Sequence, residues 1–140
     1  MVSKQFYIGE WFEFKVVTFP NGRCPFGDFT QSFSPRELRD LEISLRIVDE
    51  SFDIGRPEAG PLGRYSKIRG VRESLYELVI TPRHSRRGRK LRGFFIIEDR
   101  KVWLIDGFTK TSPRVANHIQ RAIKILRQWR ASRESKADEQ

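Results

Sequence analysis

Six cationic side chains fall within ten residues: Arg83, Arg86, Arg87, Arg89, Lys90 and Arg92, with no acid between Leu78 and Glu98. Arginine forks match phosphate oxygens bidentately, so this run fits a grip on a polyanion. The same run also fits a solvated loop whose charge aids solubility. Arg92 differs from its neighbours because it stands at the start of an apolar stretch, LRGFFII. A strand arginine among Leu91, Phe94 and Phe95 must find a partner or reach from the sheet face into a cleft. A cross-strand ion pair with Glu77 would satisfy it. Lys110 follows a second apolar stretch, VWLIDGF, at a position that aims a side chain at the end of a sheet. Lys67, Arg69 and Arg72 precede a third, LYELVI, and add positive charge ahead of it.

Acid–base groups are scarce. His84 lies within the basic run, and His118 adjoins an apolar helical stripe, a placement that suits a structural or exposed residue. Asp106 is either a carboxylate base or an ion-pair partner, and the abundance of arginine favours pairing. No serine, histidine and acid spacing suggests a triad, and the glycines do not match a phosphate-binding loop. Cys24 is the single cysteine, so no internal disulfide forms, and no zinc-ligand spacing exists. Neither a metal nor a cofactor is expected.

These residues need a scaffold. Residues 6–19 alternate as a strand that places Phe12, Phe14 and Val16 on one face. Turn chemistry follows in PNGRCPFGD, then a short helix over 28–33. SPRE at 34–37 starts a second helix: Ser34 caps it, Pro35 suits its first position, and Glu37 completes a capping box. Leu38, Leu41, Leu45, Val48 and Phe52 form its apolar stripe. Residues 53–66 read as a loop. Strands are expected over about 74–81, 91–98 and 101–108, the last two joined tightly at Asp99-Arg100, which favours an antiparallel meander. A final helix from Ser112-Pro113 buries Val115, Ile119, Ala122, Ile123, Leu126 and Trp129, with Arg121, Lys124 and Arg127 opposite. The order β-α-α-β-β-β-α defines an α+β fold, a small antiparallel sheet packed against N-terminal helices and a C-terminal helix. Residues 1–131 form one domain and 132–140 a polar, fraying tail.

Charge divides unevenly along the chain. Residues 1–77 carry a net charge of −1 and residues 78–140 one of +10. Eleven Phe and three Trp are too many for a disordered polybasic tail, so the basic half belongs to a folded protein. Such a protein points first to nucleic acid. No apolar run is long enough to span a membrane, and the N-terminus lacks the apolar core of a signal peptide, so the expected location is the cytoplasm.

Three segments, KIRGVRESLYEL, LRGFFII and VWLIDGFTKTSP followed by IQRAI, together resemble the RelE/HigB superfamily of type II toxin–antitoxin toxins, in its phage-derived HigB-like branch. The similarity runs from about Pro25 to Leu126. It implies the β-α-α-β-β-β-α fold and metal-independent, ribosome-dependent cleavage of mRNA that inhibits translation and growth. It also implies neutralisation by a cognate antitoxin, often a helix-turn-helix protein encoded nearby. Arg92 and Lys110 match the family's functional strand arginine and following lysine. Lys67, Arg69, Arg72, Arg83, Arg86, Arg87, Arg89 and Lys90 would then hold RNA. Thr111 stands where the family often has a second lysine, and Val79 where an arginine is common. The related ParE branch shares the fold but inhibits gyrase, and a degenerate toxin would keep only antitoxin binding.

Overall fold

The computed structural model describes residues 7–52, 63–82, 88–111 and 114–138. Along the chain run β1 (Tyr7–Ile8), β2 (Glu13–Val16), α1 (Pro25–Thr30), α2 (Pro35–Ser51), β3 (Tyr65–Lys67), β4 (Tyr76–Val79), β5 (Leu91–Glu98), β6 (Lys101–Thr109) and α3 (Ala116–Asp138). The fold is α+β, as its sequence pattern indicates.

The strands form one six-stranded sheet in the order β1-β2-β6-β5-β4-β3. β3 to β6 make an antiparallel meander, and β1 pairs antiparallel with β2. β2 lies parallel to β6, with Phe14 opposite Val102, so the sheet is mixed rather than wholly antiparallel. The cause is topological. α1 and α2 carry the chain from β2 across one sheet face to the far edge, and the four-strand meander then returns it to β2. β3 begins in the segment expected to be loop, with Tyr65 and Ser66; the expected loop residues 53–62 lie outside the described ones.

The sheet is buried on both sides. Phe26 and Phe33 of the α1 region and Leu41, Leu45 and Val48 of α2 pack with Phe14, Tyr76, Leu78, Leu91, Phe95, Val102 and Leu104. Ala122, Ile123, Ile125, Leu126 and Trp129 of α3 pack on the other face with Leu75, Phe94, Ile96, Ile105 and Phe108. Strand alternation explains how β5 serves both layers, its successive side chains pointing to opposite faces. β6 cannot do so by alternation alone. Phe94 pairs with Asp106 and Phe95 with Leu104, so Ile105 is an extra residue and β6 bulges there. Beyond the bulge the phase is reversed. Gly107 now faces α1, where a Cβ would sit 2.1 Å from the Phe29 ring.

Local chemistry sets the ends of the elements. Ser34 accepts from the Glu37 amide and the Glu37 carboxylate accepts from the Ser34 amide, the expected capping box. Asp99 and Arg100 join β5 to β6 with φ of 51° and 62°, the left-handed pair that a two-residue hairpin of this hand requires. The strand expected over 6–19 is interrupted. Asp49, buried on α2, accepts from the amides of Glu10, Trp11 and Phe12 at 2.7–2.9 Å, which turns the chain between β1 and β2. The expected first helix lies three residues earlier, at Pro25–Thr30. α3 starts at Ala116 rather than 112 and runs through the segment expected to fray, to Asp138.

Two substitutions test this frame. Asp49→Ala strands the buried Phe12 amide and loses two further bonds to a carboxylate, and should cost about 3 kcal/mol in urea unfolding, a magnitude set by hydrogen bonds to a charged group. Gly107→Ala forces Phe29 from its seat and should cost roughly 1–3 kcal/mol in the same measurement.

Candidate nucleic-acid interface

Arg92 projects from β5 on the face that α3 packs against, by alternation with Phe94. Its cross-strand neighbours are Val79 on β4 and Phe108 on β6. Its Nε lies 3.5 Å from the Glu77 carboxylate, and Nη1 donates to Thr81 Oγ1 at 3.3 Å and to the Leu91 carbonyl at 3.0 Å. The side chain keeps 15% of its surface exposed. Burial pulls its pKa below the ordinary value, Glu77 opposes that fall, and nearby Arg64 adds to it. The ion pair with Glu77 is thus present, and the guanidinium still borders solvent.

Lys110 extends the ladder past the end of β6, its amide donating to the Lys90 carbonyl at 2.7 Å. With Arg92 opposite Phe108, Lys110 stands diagonally across from Arg92, and alternation puts both on one face. Lys90 and Lys110 bring further cations to the same end of the sheet.

The other predicted residues that are described, Arg89, Lys67, Arg69 and Arg72, do not gather there. Arg83, Arg86 and Arg87 lie outside the described residues. Arg89 turns instead to α2: Nη2 and Nε contact the two Glu37 oxygens at 2.7 and 3.0 Å, and Ser32 accepts as well. The Arg89 hydrogen bond holds the Glu37 carboxyl below the usual range. Lys67 is opposite Tyr76 on the edge strand β3, which places it on the α1–α2 side of the sheet. Arg69 and Arg72 occupy the exposed β3–β4 connection, at the end of β4 away from Arg92.

The basic helix is also partly internal in its electrostatics. Arg127 meets Glu73 at 2.7 Å, Arg130 meets Glu98 at 2.6 Å, and Arg133 lies 4.4 Å above the Trp129 ring. The Arg127 hydrogen bond lowers the pKa of Glu73. These contacts fasten α3 along the sheet.

A second group beside Arg92 was not legible as a site. The bulge sends Asp106 to the α3 face, where it is 3% exposed and pairs with Arg121 at 3.1 Å. Burial raises the Asp106 pKa; the Gly107 amide, Arg121, His118 and Arg23 work against that rise. His118 lies flat on Phe108, with centroids 4.2 Å apart and planes within 9°. The sequence had marked Asp106 as the ion-pair partner of a nearby arginine, and Arg121 is that partner; that His118 joins them was not visible there.

Among the described residues no cluster of three His, Cys, Asp or Glu side chains could hold a metal, and no helix is long and apolar enough to cross a membrane. Neither a protein-family model, nor a curated protein, nor a solved structure matches the chain.

The Asp106 environment makes a signed prediction. A carboxyl with a raised native pKa holds its proton more tightly when folded, so stability falls as pH rises from 3.8 through the native value. Asp106→Asn removes this term, and Arg121, 61% exposed, is solvated without its partner. Urea midpoints across that pH window should therefore fall in the wild type relative to the variant.

Proposed function

We propose that this chain is the toxin of a type II toxin–antitoxin module, a metal-independent endoribonuclease that cuts mRNA on translating ribosomes. The supporting observation is that Arg92 and Lys110 stand on one face at the same end of the sheet, with Arg92 held from several sides. RNA cleavage without metal needs the 2′-hydroxyl to attack its own phosphate in line while the developing charge is offset. A fixed guanidinium suits the second task. Lys110 either shares that charge or moves a proton. The net charge of +9 supplies long-range attraction to the RNA. The cytoplasm is the compartment where such a substrate occurs. The antitoxin, encoded nearby, would cover this cationic end with acidic side chains.

The Glu77 ion pair favours a second reading, in which Arg92 is structural and the protein only binds, as a gyrase inhibitor or a degenerate toxin. Induced expression in a bacterial host separates the two. The first reading expects growth arrest with cut transcripts, and a loss of about 10²–10³ in cleavage rate for Arg92→Ala and Lys110→Ala. Arrest with intact transcripts and lost supercoiling would establish the second reading. Full activity in both variants would remove Arg92 and Lys110 from the mechanism.

A further inference from the structure

We propose that His118 is the group that takes the proton from the attacking 2′-hydroxyl, acting beside Arg92 and Lys110; this rests on the endoribonuclease reading above. Three observations bring it there. Phe108 and Arg92 are direct partners across the β5–β6 ladder. The imidazole of His118 is stacked on that same Phe108. Phe108 is itself stacked on Phe94, 5.4 Å away, so the platform under the imidazole is part of the core. The ring is therefore held in a fixed plane on the sheet face and at the strand end that carry Arg92 and Lys110, and it is only half-buried. Fixed orientation is what a proton acceptor needs, because the transfer requires hydrogen-bond geometry.

Charge around the ring comes from every neighbouring element. Asp106 of β6 is within electrostatic reach of His118, and Asp106 in turn is within reach of Arg121 on the same helix and Arg23 before α1. Arg92 of β5 lies across Phe108, and Lys110 continues β6 on the same face. Asp106 stabilises the imidazolium once it has formed. Arg92 and Lys110 attract the phosphate. Histidine is also the side chain that changes protonation nearest neutrality, which lysine does not.

The step balances without water or a co-reactant. The 2′-oxygen forms a bond to phosphorus as its proton passes to the imidazole. Arg92 offsets the charge on the equatorial oxygens. The bond from phosphorus to the 5′-oxygen breaks, and the Lys110 ammonium protonates that leaving oxygen. The products are a 2′,3′-cyclic phosphate and a 5′-hydroxyl. Lysine, too basic for an efficient acceptor, is well suited to donation in this role.

Cleavage of a defined mRNA on translating ribosomes, followed against pH, tests the assignment. The wild type should leave those two ends. His118→Gln should slow cleavage roughly 100-fold, within the range for a lost acid–base group, and erase the rise in rate on the acid side of the profile. His118→Ala, with a melting curve confirming that it is folded, should regain at least about 10-fold on addition of free imidazole, as a lost proton acceptor does. Wild-type cleavage with an unaltered rate and profile in His118→Gln, or with no imidazole response in His118→Ala, overturns the assignment and leaves the endoribonuclease reading standing. A wild type that cuts no RNA overturns both.

Discussion

The extra residue in β6 is the constraint on which the candidate site depends. Val102 and Leu104 face the α1–α2 layer, and simple alternation would send Asp106 and Phe108 there too. Ile105, inserted opposite the step from Phe94 to Phe95, reverses the phase. Phe108 then meets Phe94 and His118 on the α3 side, and Asp106 meets Arg121. The glycine at 107 is the counterpart of this shift. Its position turns toward α1, where the Phe29 ring fills the space a Cβ would need. One inserted residue thus decides which face carries the polar group, and a compact aromatic α1 closes over the other.

The distribution of arginine follows from the same two-layer packing. A helix laid on a sheet has exposed flanks, and long arginine side chains can reach acids on the strands while their stems cover apolar surface. Arg121 and Arg130 do this along α3, Arg127 reaches Glu73 in the β3–β4 connection, and Arg89, just before β5, reaches back to Glu37 in the first turn of α2. The pair of Arg130 with Glu98 is exposed on both sides, and such a pair contributes on the order of 0–1 kcal/mol. These contacts nevertheless orient the helices and remove those guanidinium groups from the pool that faces a polyanion. Arg92 stands apart, since its Glu77 contact at 3.5 Å is longer than the 2.7 Å contact of Arg89 with Glu37.

Three consecutive elements of the C-terminal half frame the cationic end. β5 and β6 supply Arg92, Lys110 and the Phe108 platform, while α3 returns antiparallel across β6 to supply His118 and Arg121. The connection before α1 contributes Arg23 to the field around Asp106. The site and the core are therefore one construction. The Phe94–Phe108 stack that supports the imidazole also holds α3 on the sheet.

The sequence by itself determined the α+β class, the meander, the capping box at Ser34 and the apolar stripe of α3, because each is a local pattern of spacing or capping chemistry. Arg92 and Lys110 stood out for the same reason, being charges at the margins of apolar strands. Local pattern could not decide what lies opposite what. The Asp49 carboxylate that breaks the first strand is 37 residues from Phe12, and Arg89 is 52 from Glu37. The parallel pairing of β2 with β6 joins segments from the two ends of the chain. Most of all, the pattern VWLIDGF gives no sign of a bulge, since Ile105 and Asp106 share a face only after β5 has set the register. Tertiary structure alone therefore decided that Asp106, Phe108 and His118 meet, since side-chain phase in a strand is fixed by its neighbour in the ladder.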